Sequence, residues 1–305
     1  MDLKGLDLNL LVALDALLTE CSITQAAERL HRSPSATSGA LARLRDYFGD
    51  ELLTQIGRRM APTPLGESLR GAVRDCLLHV QATMDIRPQF DPATARRNFR
   101  LMMSDYVATV LVAPLLQKLG HAAPGVTLEL LANVDAPAEW LARGEVDFLV
   151  LPRQFAHPEH PAELLYEDEY VCVCWSGNRA VGDTISEAQC LSLGHVVTRI
   201  GNVRPPTIDQ WFFQHFRQDR RVEVVAMTFG LVPHLLVGTP RIAFMHRRLA
   251  ETYCQLMPLR WLPSPVPLPR VVEMVQWHRY RQSDPGRAWL LAQIRNTLKA
   301  QTLAP

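Results

Sequence analysis

The 305-residue sequence has six scattered cysteines, no long apolar run and a net charge of only +1. No stretch approaches the roughly 18 uninterrupted apolar residues of a membrane-spanning helix. The first residues carry Asp2, Lys4 and Asp7 where a secretory signal would be apolar, so we expect the chain to act in the cytoplasm. Scattered cysteines in a long chain argue against a disulfide framework and favour reduced thiols.

Motifs of common enzyme classes are also missing. The sequence has no glycine-rich phosphate loop, no nucleophile elbow and no His-Glu-x-x-His metal site. Cys172 and Cys174 would share one face of a strand, and His157 lies near His160, but neither pair has further ligands at a recognisable spacing. We therefore expect neither an enzyme, nor a cofactor, nor a metal site, and we interpret the two cysteines as buried strand thiols.

Amphipathic helices do occur, and they fill most of residues 1–62. Leucines between Leu10 and Leu18 recur at helical spacing and predict a helix that begins near Asp7. A second helix of about two turns follows Ser22, a typical N-cap. A third begins after Ser33, with Pro34 at its first position, where a missing N–H costs nothing. The pattern predicts a small head in which a tight turn joins two helices.

The outer face of the third helix is small and polar. At 100° per residue, Ser35, Ser38, Gly39 and Ala42 lie opposite the apolar stripe. Small residues let a helix enter the DNA major groove, hydroxyl groups can bond base edges, and arginines neutralise phosphates. We predict a DNA-binding face rather than the alternative, a solvated helix face. Its predicted residues are Arg32, Ser33, Ser35, Ser38, Arg43, Arg45, Arg58 and Arg59.

Residues 50–84 predict a hairpin followed by a long helix. The segment DELLTQIGRRMAPTP has a turn at Gly57 beside two arginines, as in a wing that follows the DNA backbone; the alternative is a plain surface hairpin. Thr63 and Pro64 then open a helix to about Met84 with apolar residues near heptad spacing. This seam predicts a dimer contact, and the alternative is packing against the C-terminal domain. The predicted dimerisation residues are Leu69, Val73, Leu77 and Val80.

From about Asn98 the pattern changes to alternating strands and helices. The segments NFRLMM, APGVTLELL and VDFLVL predict strands of a parallel βαβαβ unit, in which Pro114 must bend or restart the first helix. EYVCVCW leads into a second unit with strands GHVVTR, RVEVV and RIAFM and with helices over 206–216 and 229–237. VVEMVQWH then returns to the first unit, before a final helix over 285–299.

These patterns predict three regions. Residues 1–62 form a winged helix-turn-helix domain, residues 63–88 a linker helix, and residues 89–305 an α/β domain. The first half of the α/β domain comprises about 89–170 and 266–305, and the second half about 171–265.

The α/β halves also predict a ligand site. Ligands of open parallel sheets bind beyond the carboxyl ends of the strands, so two facing halves would bind one in the cleft between them. The alternative roles of residues at these strand ends are helix caps, turn residues and, for Arg153, a surface charge. The predicted effector-binding residues are Ser104, Asp105, Asn133, Arg153, Asn202, Thr228 and Phe229.

A family resemblance rests on the segment TQAAERLHRSPSATSGALARLRDYFGDELLTQIGRRMAPTPLGESL. It resembles the winged helix-turn-helix and linker helix of LysR-type transcriptional regulators. MDLKGLDLNLLVALDALLTE at the start, and later YVCVC and GHV, are most similar to the branch that contains the nodulation regulator NodD and the aromatic-catabolism regulator NahR. The resemblance implies an α/β effector domain of two Rossmann-like subdomains, like periplasmic binding proteins, behind the winged helix-turn-helix domain.

The recognition helix departs from the usual family motif. Relatives usually have Ser-Gln-Pro-Ala-(Val or Met)-Ser where this chain has Ser33-Pro34-Ser35-Ala36-Thr37-Ser38. Glutamine can form two hydrogen bonds with adenine and proline has no donor, so base contacts come from Ser35, Ser38 or other positions, or the operator differs. The wing has Gln55 and Ile56 where relatives often have an arginine.

The resemblance implies an inducer-controlled regulator of transcription. Ser104 would hold an inducer carboxylate or hydroxyl. Glu169 lies where NahR-like chains tend to have a histidine and would repel a carboxylate, so we expect a less acidic aromatic, or another compound, rather than salicylate. The implied partners are promoter DNA, this inducer, RNA polymerase and further copies of the chain in a dimer or tetramer. The alternative is a DNA-binding regulator without a small ligand, whose α/β domain only oligomerises.

Overall fold

A computed structural model describes residues 8–57, 59–84, 89–133, 136–199, 211, 214–216 and 220–303. The chain divides into two compact units, Met1–Ile86 and Arg87–Pro305. The first unit holds the predicted winged head together with the predicted linker helix. The second corresponds to the predicted α/β domain. No helix in these ranges is both long and apolar enough to cross a membrane.

The described part of the first unit is a small helical head with a wing. Its elements are α1 (Leu8–Glu20), α2 (Ile23–Arg29), α3 (Pro34–Phe48), strands β1 (Leu53–Ile56) and β2 (Arg59–Pro62), which form the wing, and α4 (Pro64–Met84). The leucine stripe predicted for α1 is confirmed, because Leu14 and Leu17 are fully buried and pack with Leu44 of α3. Both predicted caps form: Ser22 Oγ accepts from Gln25 N at 3.3 Å, and Ser33 Oγ accepts from Ala36 N at 3.2 Å.

Helix α4 packs on α1 of its own head. Val73 is buried in the head core, and Leu69 and Leu77 pack against that core. Arg70 donates to the Leu18 carbonyl at 2.8 Å, and Arg74 forms an ion pair with Asp15 at 2.9 Å.

This packing corrects the prediction for the long helix. The apolar seam at Leu69, Val73 and Leu77 is largely covered within the same chain, because it meets the leucines of α1. Val80, the fourth predicted dimerisation residue, is half-buried and is not part of the head core formed by the described residues.

The second unit contains two five-stranded sheets. Their strands are β3 (Arg97–Met103), β4 (Val126–Ala132), β5 (Phe148–Pro152), β6 (Ala162–Asp168), β7 (Tyr170–Trp175), β8 (His195–Thr198), β9 (Val222–Ala226), β10 (Ile242–His246), β11 (Leu259–Pro263) and β12 (Val271–Gln276). The helices are α5 (Asp105–Val107), a π-helical turn (Ala108–Val112), α6 (Ala113–Ala122), α7 (Pro137–Ala142), α8 (Glu187–Ser192), α9 (Val232–Leu236), α10 (Arg247–Leu256) and α11 (Pro285–Leu303).

Both sheets have the same topology. The first has the order β4-β3-β5-β12-β6 and the second the order β9-β8-β10-β7-β11. In each, the first three strands are parallel. The fourth, β12 or β7, is antiparallel to both of its sheet neighbours, and the strand before it in the chain lies in the other half. The chain therefore crosses between the halves twice, at Glu169 and over 264–270. The predicted two-half α/β architecture is confirmed, including the return of VVEMVQWH as β12.

Several elements of this unit were not predicted from the sequence: β6, α8, α10 and β11. The predicted helix over 206–216 lies largely outside the described residues. The disturbance predicted at Pro114 is present, because a π-helical turn ends at Val112 and α6 restarts at Ala113. Proline has no N–H for the carbonyl four residues earlier, and Gln301 of α11 donates to that Val110 carbonyl instead, at 2.8 Å.

Candidate nucleic-acid interface and effector cleft

The outer face of α3 is open to solvent. Ser35, Ser38, Gly39 and Ala42 are exposed, while Thr37 and the apolar residues of the opposite face are buried. A Cβ added at Gly39 would meet no described atom within 4 Å. The helix therefore presents a slim face on which a groove wall could approach the backbone closely.

The residues around this face have different structural roles. Ser33 caps α3, and its hydroxyl lies 3.0 Å from that of Ser35. Arg32 and Arg43 are exposed beside the slim face. Arg45 instead ties α3 to the wing, because it donates to the carbonyls of Glu51 at 2.9 Å and Leu53 at 3.0 Å. Its guanidinium orients the wing, a role that its position in the sequence did not indicate.

The wing turns at Gly57, whose φ of +63° is in the left-handed region that favours glycine. Gln55 donates to the Gly57 carbonyl at 3.1 Å, Ile56 is 67% exposed and Arg59 is exposed. Arg58, the other predicted wing contact, lies outside the described residues. The wing tip thus presents an apolar side chain beside an arginine.

Asp50 connects the wing to α4. Its Oδ1 accepts hydrogen bonds from Thr63 Oγ1 and from the Leu52 N–H, both at 2.6 Å. The bond from Thr63, followed by that from Leu52, lowers the pKa of the Asp50 carboxyl, because both favour the charged form. Thr63 Oγ1 in turn accepts from Gly66 N at 3.0 Å and so caps α4.

In the second unit, the cleft residues at the end of β3 are bonded within the chain. Ser104 Oγ accepts from Val107 N at 3.3 Å and caps α5. Asp105 extends to the other half, where its carboxylate accepts from Phe229 N at 3.2 Å and Gly230 N at 2.6 Å. Asp105 and Phe229, both predicted effector contacts, are therefore brought together, but by a direct bond between the halves.

Tyr106 continues this contact between the halves inside the protein. Its ring stacks on His246 with centroids 3.9 Å apart, and its hydroxyl donates to Asp168 at 2.6 Å. Burial lowers the pKa of His246 to about 3, so its imidazole is neutral at physiological pH. The ring of Phe229 meets that of Tyr106 edge-on at 6.2 Å.

A buried carboxyl lies near this cluster. Glu273 of β12 is 2% exposed and pairs across the sheet with Tyr166. Burial, and then repulsion from Asp168, raise the pKa of Glu273 to about 8. No described donor or acceptor bonds Glu273 Oε2. Sequence reasoning missed this residue, although a glutamate in the middle of the apolar run VVEMV was a signal.

Of the remaining predicted effector residues, Thr228 directly precedes Phe229, whose N–H bonds Asp105. Arg153 and Thr228 are exposed, and the Thr228 side chain caps no helix. Asn133 is half-buried, and its Oδ1 is enclosed without a hydrogen-bond partner among the described residues. Asn202 lies outside the described residues.

A charged cavity of about 420 Å³ lies beside the crossing between the halves. It is lined by residues that include Asp168, Glu169, Arg247, Arg248 and Glu251, and none of the predicted effector residues lines it. Glu169 is paired with Arg247 at 2.8 Å. Arg247 also pairs with Glu251 at 2.8 Å, so one guanidinium serves two carboxylates, and the expectation about salicylate stays a prediction.

The two residue pairs considered as metal ligands lie in different settings. Cys172 and Cys174 are fully buried in β7, where burial raises the pKa of both thiols. His157 and His160 rings lie 5.4 Å apart, and no group of three or more potential ligands in the described residues could hold a metal ion.

Similarity to known proteins covers both units. Residues 8–67 match the bacterial regulatory helix-turn-helix protein model of the lysR family, and residues 92–299 match the LysR substrate binding domain. Nodulation protein D 1 of Bradyrhizobium sp. (strain NC92) is 43% identical over 290 residues, which cover 95% of this chain and 92% of the relative. Nodulation protein D 1 of Rhizobium meliloti (strain 1021) is also 43% identical, with 95% and 94% covered.

Solved structures of transcriptional regulators have the same fold. A probable transcriptional regulator from Pseudomonas aeruginosa is 30% identical with a TM-score of 0.65, covering 96% of this chain and 98% of its own. CbnR in complex with its target DNA is 15% identical with a TM-score of 0.52, covering 96% and 100%. The family consists of regulators and not enzymes. The chain therefore belongs to the LysR family of DNA-binding transcriptional regulators, with an effector-binding α/β domain that follows the helix-turn-helix head in the sequence.

Proposed function

We propose that the chain reads its operator with the outer face of α3. The observation that carries this proposal is the slim, exposed surface of Ser35, Ser38, Gly39 and Ala42. Ser35 and Ser38 would contact base edges, with Arg32 and Arg43 on phosphates and Arg59 of the wing on the adjacent backbone. Arg58 is a further wing contact, Ser33 acts through its cap on α3, and Arg45 acts by orienting the wing.

We further propose that a small aromatic inducer binds between the two α/β halves. Ser104, Asn133, Arg153, Asn202 and Thr228 are the proposed contacts, because they follow strands whose carboxyl ends face the cleft. Asn133 Oδ1, an enclosed acceptor without a described partner, supports a polar ligand group there. Inducer binding would favour one arrangement of the halves. In the cytoplasm, this arrangement would change how the regulator binds promoter DNA and presents it to RNA polymerase.

The proposed oligomer is a dimer formed through α4, with a tetramer formed through the α/β domains. Since Leu69, Val73 and Leu77 pack on α1, the dimer contact would use Val80 and the face that α1 leaves open. Leu65 is 37% exposed there, and Ala72 and Cys76 follow at helical spacing, both exposed. This face is narrow and small, as helices that pack closely require.

The test is DNase protection of the region upstream of the chain's own gene. Ser38→Glu places a negative charge on the slim face, and we expect roughly a hundredfold loss of affinity, because juxtaposed like charges cost several kcal/mol. Ser192→Glu, an exposed serine of α8, makes the same charge change away from the head and should leave protection intact.

Two outcomes would contradict the proposals separately. Equal protection by wild type and Ser38→Glu, or protection that does not weaken with salt, would overturn the reading of DNA by α3. A footprint that no aromatic compound alters would instead favour the alternative of a regulator without a small ligand.

A further inference from the structure

We propose that Asp105 is a built-in latch: its carboxylate holds the two α/β halves together across the cleft and takes the donors that a carboxylate inducer would need. The inference deepens the proposed inducer cleft, on which it rests, and names the inducer as a compound without a carboxylate. The latch consists of Asp105, Phe229 N and Gly230 N.

The first argument is the geometry of the bonds. Asp105 is the first residue of α5 in one half, and its two oxygens accept separately from Phe229 N at 3.2 Å and Gly230 N at 2.6 Å in the other half. Charge-assisted hydrogen bonds of this kind are roughly twice as strong as neutral ones. Two such bonds from one side chain fix the distance between the halves and the direction of approach.

The second argument is that the surroundings are built for close approach. A Cβ at Gly230 would lie 3.0 Å from Tyr253 Oη and 3.3 Å from Asp105 Oδ2, so glycine leaves the room that the carboxylate needs. Beside the latch, the rings of Tyr106, Phe229 and His246 pack against one another from both halves. These rings shield the bonds on one side, which strengthens them relative to bonds in water.

The third argument concerns the class of ligand. A parallel sheet normally offers free N–H groups at the start of a helix to an anionic ligand. Here Ser104 accepts from the Val107 N–H of its own helix, and Asp105 accepts from Phe229 N and Gly230 N of the facing segment. If an inducer carboxylate lay beside Asp105, these N–H donors would already be hydrogen-bonded, and the Asp105 carboxylate would repel it. An uncharged hydroxylated or carbonyl-bearing aromatic meets neither obstacle.

The latch can be tested without inducer or DNA, by amide hydrogen exchange in the full-length protein. Asp105→Ala should accelerate exchange at Phe229 and Gly230 by roughly tenfold to a hundredfold, since it removes charge-assisted bonds. Gly230→Ala, which crowds the carboxylate without removing it, should give a smaller increase at Phe229. Ser186→Ala is the matched control, because it removes a helix cap at α8 and should leave exchange at Phe229 and Gly230 unchanged.

Chemical rescue separates a carboxylate effect from a general loss of packing. In Asp105→Ala, sodium acetate should restore slow exchange, because acetate replaces the missing carboxylate; acetamide, or sodium chloride at equal ionic strength, should not. Asp105→Asn keeps a side chain of the same volume and leaves no space for acetate, so acetate should not change amide exchange in this variant. Unchanged exchange in Asp105→Ala, or equal rescue by acetate and acetamide, would overturn the latch.

The ligand class has its own readout, in the DNase footprint of the wild type with benzoate and with benzamide as probes. A footprint altered by benzoate at concentrations that leave benzamide inactive would overturn the exclusion of carboxylates. Failure of every compound would remove the proposed inducer site, while the exchange and rescue results would still decide whether Asp105 joins the halves.

Discussion

The slim face of α3 and the cleft of the α/β unit were predicted from similar evidence, small polar residues at the right positions, and they turned out differently. On α3, Ser38, Gly39 and Ala42 are exposed on the face that the helical period assigns to them. In the cleft, Ser104 and Asp105 are already bonded within the chain. A helix face is a local property, whereas Asp105 and Phe229 are 124 residues apart in the sequence.

The difference also concerns where each unit keeps its charges. Described arginines of the head are either exposed or join two elements: Arg45 joins α3 to the wing, and Arg74 joins α4 to α1. The α/β unit encloses Glu273 beside the contact between its halves, with Asp168 nearby. Buried ionisable groups make a unit sensitive to pH, and surface arginines make it sensitive to salt. The two units should therefore respond to different solution conditions.

The substitution Glu273→Gln in the α/β unit should give the largest change in the free energy of unfolding. The pKa of Glu273 is raised to about 8 in the folded protein, so the wild type loses stability as pH rises from the unfolded value of about 4.5 through 8. An amide cannot ionise, and we expect the variant to be more stable at pH 7 by roughly 2 to 4 kcal/mol. Urea unfolding at pH 5, 7 and 8 would measure the difference.

The pH profile distinguishes this effect from simple repacking. Among the described residues, Asp168 raises the pKa of Glu273, and Glu273 in turn raises those of Tyr166 and Tyr170; the substitution leaves all three residues in place. The advantage of Glu273→Gln should be small at pH 5 and grow with pH. An advantage that is equal at pH 5 and pH 8 would show that the buried carboxyl does not titrate in this range.

The elements of the α/β unit that were not predicted show which secondary structure can be predicted from sequence patterns. Strands β6 and β7 are separated only by Glu169, so the alternation of the first is masked by the continuous apolar run of the second. Helix α10 did carry a signal, with Leu249, Ala250 and Tyr253 at helical spacing. The three parallel strands of each sheet could be predicted because hydrophobic runs and helix ends are local signals, whereas the edge strands β6 and β11 were missed.

Contacts between residues far apart in the sequence could not be predicted from the sequence patterns. The heptad spacing of α4 predicted an apolar partner but cannot tell a helix of a second copy from α1 of the same chain. Arg45 was predicted to contact a phosphate because its charge is known from the sequence. Its hydrogen bonds to the carbonyls of Glu51 and Leu53 depend on the fold and could not be predicted.

A smaller effect is expected where α4 meets α1. Arg74→Met should destabilise the head by about 1 to 2 kcal/mol, because it removes the ion pair with Asp15 and a hydrogen bond to Thr19 in a half-buried setting. Arg143→Met breaks an exposed pair with Glu139 on α7 and should cost less than about 0.5 kcal/mol. Equal losses in thermal unfolding would contradict the assignment of Arg74 as a tie between α1 and α4.

The smallest change, one methyl group on the slim face, separates folding from DNA binding. Gly39→Ala should stabilise α3 by about 0.5 to 1 kcal/mol, since glycine is a poor helix former and the added Cβ meets no described atom. The same methyl group should weaken operator binding about tenfold, equivalent to 1.4 kcal/mol, because it holds the helix away from the groove. Gly71→Ala on α4 is the matched control, with equal open space and an expected gain in stability alone. If both variants kept wild-type affinity, close approach at Gly39 would have no part in recognition.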